Sequence, residues 1–179
     1  MASYRHYYFI PQLSVLAYGQ PPPMSPRAFM EKAAPMLGEK DAVLMGRLDP
    51  ASGDGASSGC EFVDGWLEWE KGLRLSLAGQ RAAALGREAA SETPIYPSGA
   101  AEAAAKALGA ETPLEGEIIL DKARWEAVEA LQGSELFHRK TVFAYFVKLL
   151  ILERQASFQA EAGFSEYKSL YDSILGGIK

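Results

Sequence analysis

The stretch from Thr141 to Phe158, TVFAYFVKLLILERQASF, places apolar side chains on nearly every side of a helix. A helix that is apolar all round lies inside a protein or inside a lipid bilayer. The apolar run covers only residues 142–152, and Lys148 interrupts it, whereas a membrane span needs roughly 20 residues. The stretch therefore predicts a buried central helix with shorter helices packed against it, and no direct insertion into a membrane.

Composition and charge narrow the class of protein. Apolar residues make up 48% of the 179 residues and charged residues 23%, as in ordinary soluble globular proteins of one domain. The net charge of −5 argues against a nucleic-acid binder, because phosphate groups require clustered lysine and arginine. We expect no signal peptide, since no basic region precedes an apolar run at the N-terminus. The single cysteine, Cys60, excludes an internal disulfide and fits a reducing cytosol.

Two long helices dominate the predicted fold, which is mostly α. We expect a multi-helix bundle that forms one helical domain over residues 1–179. One long helix covers about 60–88, because apolar side chains recur there at helical spacing, at Phe62, Trp66, Trp69 and Leu73. The other covers about 139–162 and contains the apolar run.

Shorter elements surround these two helices. The aromatic residues Tyr4–Ile10 favour a short extended N-terminal arm, as a strand or packed on the core. Ser25 followed by Pro26 predicts a helix start. We expect Asp121 to cap a helix that stops at Gly133.

Three further segments complete the predicted architecture. A last amphipathic helix is expected from about Phe164 to Leu175. Small residues predict a mobile loop at about 49–59, and two prolines predict a weak division near 91–98.

Glycines recur every seven residues in the first long helix, at Gly65, Gly72, Gly79 and Gly86. Each interior glycine costs a helix about 1 kcal/mol relative to alanine, so four of them require a compensating gain. Either they form a flat track that lets another backbone approach closely, or one or two of them kink or divide the helix.

Candidate partner-binding residues follow from the same helix and from the end of the apolar run. Trp66 and Trp69 are either core residues or, if exposed beside Gly72 and Gly79, anchors of an interface. Glu153 is either part of a structural ion pair, with Lys148, Arg154 or a base of another helix, or a partner-binding or proton-linked residue.

No catalytic constellation is evident, and we expect no enzyme, no cofactor and no metal site. The two histidines, His6 and His138, lie at opposite ends of the sequence, and the acidic neighbour of Cys60 disfavours a reactive thiolate. The aspartates of the 49–59 loop lack the spacing of a calcium loop, and no phosphate-binding GxxxxGK[ST] motif occurs.

Two segments carry a family resemblance. They are YYFIPQLSVLAYGQPPPMSPRAFM near the start and LDKARWEAVEAL with VFAYFVKLLILERQASFQAEAG near the end. Together they resemble an uncharacterised family encoded in bacterial V-type (A/V-type) ATPase operons. That family is distantly similar to the helical ATPase component, designated C or d, that couples the central shaft of the catalytic head to the membrane rotor ring.

The resemblance implies a non-catalytic helical subunit, or assembly or coupling factor, that links the soluble and membrane sectors of a proton- or sodium-transporting ATPase. It implies a cytoplasmic location, peripheral to the inner membrane. The implied partners are other ATPase subunits, in the central shaft or the membrane rotor ring.

Two alternatives remain open. One is a helical peptide- or ligand-binding module unrelated to the ATPase, which requires a concave apolar pocket beside Trp66 and Trp69. The other is an enzyme built on carboxylates such as Glu153, which requires acidic groups with raised pKa values converging in a cleft.

Overall fold

The structure is a computed structural model that describes residues 5–49, 57–87 and 99–176, with side chains described within 7–158. Within those ranges it contains seven α-helices and no β-strand, so the predicted mostly α bundle is confirmed. The helices are α1 (Arg5–Phe9), α2 (Pro26–Ala33), α3 (Glu39–Gly46), α4 (Glu61–Ala84), α5 (Ala100–Leu108), α6 (Pro113–Gln132) and α7 (Arg139–Gly176).

The N-terminal arm packs on the core, which is one of the two forms expected for it, and it begins as a helix and not as a strand. Helix α1 leads into a 3₁₀ turn at Ile10–Gln12, after which the chain runs without a helix as far as Ser25. Phe9 is buried with its ring centroid 5.9 Å from that of Phe29, and Tyr18 lies 5.6 Å from Trp125. Aromatic burial therefore holds the arm on the bundle without any strand pairing.

Helix α4 confirms the first predicted long helix and ends slightly early. Gly86 follows it in the left-handed conformation, with φ +66°. The amide of Arg87 donates to the carbonyl of Ala82 at 2.9 Å, and the amide of Gly86 donates to that of Ala83 at 3.0 Å. These two bonds form the glycine-dependent helix ending known as the Schellman motif.

Helix α7 starts at the predicted residue but is longer than predicted. It continues without interruption to Gly176, so a separate last helix from Phe164 is wrong. No proline occurs in the segment, and its one glycine before the end, Gly163, costs only about 1 kcal/mol in a helix interior.

Helix α6 also begins earlier than predicted, and Asp121 does not cap it. The Thr112 hydroxyl accepts from the amide of Glu115 at 3.1 Å, and Pro113 occupies the first helical position. This pair is the stronger start signal. Asp121 lies in the helix interior, and Gly133 ends the helix as predicted.

Three helices form the centre of the bundle. Helices α4 and α7 run in the same direction: Glu61 pairs with Lys140 near their starts, and Phe62 lies 6.2 Å from Phe143. Helix α6 runs the opposite way between them. Gly65, near the start of α4, lies against Leu131, near the end of α6.

The remaining helices cover this centre. The Phe29 ring of α2 stacks on Tyr145 and Phe146 of α7 at 5.0 and 6.1 Å. Helix α5 packs beside α4, where the Gln80 amide donates to the carbonyl of Ala101 at 3.2 Å. Ser25 caps α2 as predicted, accepting from Ala28. Of the expected loop at 49–59, residues 50–56 lie outside the described residues, as does the whole division near 91–98.

Candidate functional site

The two candidate tryptophans lie in the core. Trp66 is fully buried, and its indole N–H donates to the carbonyl of Leu48 at 2.9 Å. Trp69 is buried as well, with its ring nearly parallel to that of Trp66 at a centroid distance of 6.1 Å. A buried indole with its donor satisfied is typical of structural tryptophan.

The candidate glycines of α4 differ in burial and surroundings. A Cβ added at Gly65 would lie 2.9 Å from Cδ2 of Leu131 on α6. Gly72 is buried and Gly79 is half-buried. The close neighbour of Gly65 is therefore a side chain of α6 and not the backbone that the stripe predicted, whereas Gly86 serves as the helix ending.

Glu153 lies on the exposed side of α7, and the bases predicted for it pair elsewhere. Lys148 binds Glu129 at 3.1 Å and lies 4.7 Å from the Trp125 ring centroid. Arg154 turns inward to Glu117 and Asp121. Glu153 remains a candidate for contact with another molecule, while its neighbour Arg154 joins a charged cluster inside the bundle.

This cluster, the ionic network, joins α4, α6 and α7 through five charged residues: Glu70, Glu117, Asp121, Arg124 and Arg154. Arg124 is its centre. Its Nε and Nη2 donate to the two carboxylate oxygens of Glu70, both at 3.0 Å, and its Nη1 donates to Oδ1 of Asp121 at 3.0 Å. Because Glu70, Asp121 and Arg124 are all buried, each of these bonds replaces lost hydration.

Burial and neighbouring charges shift the pKa values of Arg124 and Asp121 in opposite directions. Burial alone would lower the pKa of Arg124, but the hydrogen bonds and charge of Glu70, together with Asp121, outweigh it and raise the pKa. For Asp121 the effect of burial is the larger one, so the carboxyl pKa is raised although Arg154 and Arg124 act to lower it. Arg124 is thus held charged, and Asp121 takes up a proton more readily than an ordinary aspartate.

One oxygen of Asp121 accepts no hydrogen bond from the residues that the structure describes. Asp121 is only 1% exposed, and its Oδ2 accepts no hydrogen bond within the described part of the chain. Gln155 Oε1, on the facing side of α7, is buried in the same condition. The phenol of Tyr18 lies between these elements: it donates to the carbonyl of Ile118 at 3.0 Å, and it interacts with both Gln155 and Asp121.

A cavity of about 420 Å³ adjoins the ionic network between α4, α6 and α7. Trp66, Val147, Leu150 and Ile151 form its apolar wall, and Glu70, Asp121, Arg124 and Arg154 form its charged wall, with Asp49 and Arg74 at the edge. Of its lining residues, Arg74 is exposed, and Leu150 and Arg154 are half-buried.

A second groove, of about 640 Å³, lies between α5 and α6 beside Trp69. Its floor is formed by small and apolar residues such as Ala103, Ala127 and Leu131, and its rim carries both lysines and glutamates. This is the concave apolar surface that the binding-module alternative requires at Trp69. Trp66 does not line it.

An exposed aromatic patch lies where the arm meets the turn between α6 and α7. We call Tyr7, Tyr8, Leu136 and Phe137 the end patch. The Tyr7 ring lies 5.7 Å from that of Tyr8 and 4.9 Å from that of Phe137, and all four side chains are at least half exposed. Adjacent exposed aromatic side chains are typical of binding surfaces.

Metal and membrane sites find no support in the described residues. Among them no group of three or more His, Cys, Asp or Glu side chains is placed to hold a metal ion. Nor, in that part of the chain, is any helix both long and apolar enough to cross a bilayer.

Comparison with protein-family models, with curated proteins and with solved structures finds no match to this chain in any of the three. The resemblance to the family of the V-type ATPase operons therefore stays a prediction.

Sequence reasoning missed both the ionic network and the end patch. The burial of Glu70 could have been predicted from its spacing. It lies four residues after Trp66 and three before Leu73, on the buried side of α4. The spacing of Asp121 and Arg124 likewise places both on one face of α6. The end patch joins segments that lie far apart in sequence, and no local pattern predicts it.

Proposed function

We propose that this chain is a non-catalytic helical subunit, or assembly or coupling factor, of a bacterial V-type ATPase. It would link the soluble and membrane sectors from the cytoplasmic side, peripheral to the inner membrane. Its partners would be other ATPase subunits, in the central shaft or the membrane rotor ring. The observation that carries a binding role is the end patch.

The end patch supports binding to another protein because it brings exposed aromatic rings together, with the Tyr7 ring centroid 5.7 Å from that of Tyr8 and 4.9 Å from that of Phe137. Tyr8 is 70% exposed and Leu136 is 62% exposed, whereas Phe9, the neighbour of Tyr8, is buried. Tyrosine and other aromatic residues dominate interface energetics. With Trp66 and Trp69 in the core, the end patch is a better anchor than the face predicted from sequence.

The pairing of Glu70 supports a non-catalytic role for this carboxylate. Both oxygens of Glu70 are bound by Arg124, so Glu70 cannot take a proton from a substrate without breaking its ion pair. The exposed acid Glu153 is not part of the cavity wall. The assignment to the ATPase in particular depends on the resemblance of the two terminal segments.

Affinity purification from native membranes tests the proposal. We expect ATPase subunits to co-purify with the tagged wild-type chain and to be lost from the double variant Tyr8→Ser/Leu136→Ser. The matched control, Val15→Ser/Val43→Ser, alters side chains that are 95% and 64% exposed elsewhere and should retain the partners. Purification without ATPase subunits, under conditions that keep the ATPase intact, would refute the assignment.

The groove beside Trp69 favours a second candidate function, a helical peptide- or ligand-binding module. Its apolar floor and charged rim suit a short amphipathic segment. The change Ala127→Glu would place a charge on the floor. This candidate predicts that Ala127→Glu abolishes partner recovery while the end-patch variant retains it, which is the reverse of the result expected for the first candidate.

A further inference from the structure

The deeply buried part of the ionic network contains more acid than base. Glu70, Asp121 and Arg124 are 2%, 1% and 7% exposed, so two carboxylates and one guanidinium are almost wholly shielded from water. The other two members, Glu117 and Arg154, pair with each other, and their side chains are 36% and 37% exposed. Water can therefore solvate that pair. A buried charge without full compensation is costly, so the two buried carboxylates favour the uptake of one proton.

The hydrogen bonds show which of the two buried carboxylates holds this proton. Glu70 accepts from Arg124 through both of its oxygens, each at 3.0 Å. Asp121 accepts from Arg124 through Oδ1 alone, at 3.0 Å, and Nη1 of Arg154 approaches the same oxygen at 3.4 Å. Oδ2 of Asp121 is buried and accepts no hydrogen bond from the described residues. A proton on Oδ2 removes the excess charge without breaking any of these bonds.

An acceptor for the resulting O–H group is present on α7. Gln155 Oε1 is buried and accepts no hydrogen bond from the part of the chain that the structure describes. The single hydrogen of the Tyr18 phenol goes to the carbonyl of Ile118 at 3.0 Å, so the hydrogen bond between Tyr18 and Gln155 is donated by the amide nitrogen of Gln155. This orientation leaves Oε1 as an acceptor. The charge of Asp121 acts on the same phenol, which places Asp121 and Gln155 near each other.

Charged groups from every neighbouring element act on Asp121. They are Glu70 of α4, Glu117 and Arg124 of α6, Arg154 of α7 and Tyr18 of the arm, with Asp49 and Arg74 lining the same cavity. Burial is the largest effect and raises the pKa of Asp121, whereas Arg154 and Arg124 act to lower it. The charge of Glu117 adds to the rise. The balance of burial and charge agrees with the hydrogen-bond pattern.

We propose that Oδ2 of Asp121 holds a proton in the folded protein and donates a hydrogen bond to Oε1 of Gln155. We call this bond the proton lock, because it joins α6 to α7 and replaces two unpaired buried oxygens by one hydrogen bond. When rising pH removes the proton, a buried carboxylate oxygen faces an amide oxygen and the packing of α6 against α7 weakens. The proton lock is independent of the end patch and of the ATPase assignment.

Infrared spectroscopy of the full chain detects the proton directly, because the carbonyl stretch of a protonated carboxyl group is separate from the bands of carboxylates. At pH 6, side chains with the ordinary pKa values of about 3.9 for Asp and about 4.3 for Glu are ionised. Wild type should therefore show a protonated-carboxyl band that is lost in Asp121→Asn. Asp64→Asn is the matched control and should retain the band, because hydrogen bonds lower the pKa of Asp64 to about 2. Absence of the band from wild type, or its survival in Asp121→Asn, would overturn the proposal.

Urea denaturation tests the lock. Asp121→Asn reproduces the protonated form, because its amide is neutral, has nearly the same shape and can donate to Oε1 of Gln155. We expect its urea midpoint to equal that of wild type at pH 5 and to exceed it at pH 8. The control Asp64→Asn should have a lower midpoint than wild type at both pH values, since there the ionised carboxylate is the stabilised form. A midpoint of Asp121→Asn below that of wild type at pH 8, or failure of this variant to fold at that pH, would refute the proton lock.

Discussion

Removing Arg124 should destabilise the protein more than removing any exposed arginine. The change Arg124→Met retains most of the aliphatic stem but leaves Glu70 without the base that binds both its oxygens at 3.0 Å. Breaking a buried ion pair by removing one partner costs about 3–5 kcal/mol. At about 2–4 °C per kcal/mol for a chain of this size, the melting temperature should fall by about 6–20 °C.

The loss should also depend on pH. Burial already raises the pKa of Asp121 while Arg124 acts to lower it, so removing Arg124 should move this pKa further above its unfolded value. A carboxyl group whose pKa is higher in the folded state does not reduce the free energy of unfolding below its unfolded pKa. It reduces that free energy as the pH rises through its folded pKa. The destabilisation by Arg124→Met should therefore be larger at pH 8 than at pH 5.

Urea denaturation followed by tryptophan fluorescence measures both effects. Arg27→Met is the matched control, because Arg27 pairs with Glu31 at 3.3 Å with both side chains largely exposed, and such pairs contribute about 0–1 kcal/mol. The double variant Glu70→Leu/Arg124→Met should recover much of the loss, since apolar residues can replace a buried pair. A cost below about 1 kcal/mol for Arg124→Met would refute the reasoning.

Three further predictions concern single side chains. Burial raises the pKa of Asp121, so wild-type stability should decrease as the pH rises through that pKa, and urea midpoints of Asp121→Asn should show less of this dependence. Gly116→Ala should lower the urea midpoint by an amount equivalent to about 1–3 kcal/mol, because its Cβ would lie 2.8 Å from the carbonyl oxygen of Ala107. In the control Gly46→Ala the new Cβ meets nothing within 4 Å, so the urea midpoint should not fall in this way. Hydrogen bonds, chiefly from the Ser58 amide, lower the pKa of Asp64 to about 2. The ionised Asp64 therefore stabilises the folded state above its unfolded pKa, and this stabilisation disappears as the pH falls toward its folded pKa. Asp64→Ala should accordingly lower the melting temperature at pH 7 and lower it much less near pH 2.

The elements that the sequence predicted well are those defined by local signals. The buried start of α7 follows from an apolar run with no polar face, and Lys148, which interrupts it, pairs with Glu129 near the Trp125 ring. The cap at Ser25 and the stop at Gly133 follow from preferences of single residues for particular backbone geometry.

The elements that it predicted poorly depend on competing or distant partners. Asp121 has the chemistry of a helix cap, but Thr112 and Pro113 start α6 first, which places Asp121 in the bundle beside Arg124. The aromatic arm has strand-like residues, yet Phe29 and Trp125 offer it packing partners that need no strand. Propensity is a weak guide wherever tertiary contacts decide.

In the candidate site, too, the sequence could not predict the features that depend on tertiary contacts. Helical spacing does not distinguish an exposed tryptophan from a buried one. The hydrogen bond from the Trp66 indole to the carbonyl of Leu48 shows that this indole is structural. The end patch is assembled from the N-terminal arm and the distant turn after α6, and its exposure is a property of the fold alone.

Site-specific photocrosslinking from the end patch tests the central claim most directly. A benzophenone amino acid at Tyr8, in native membranes that retain the intact ATPase, should crosslink to an ATPase subunit. The same group at Leu85, which is 69% exposed away from the patch, should not. Crosslinking of ATPase subunits from neither position, or equally from both, would contradict the claim that this chain works by binding the ATPase through its end patch.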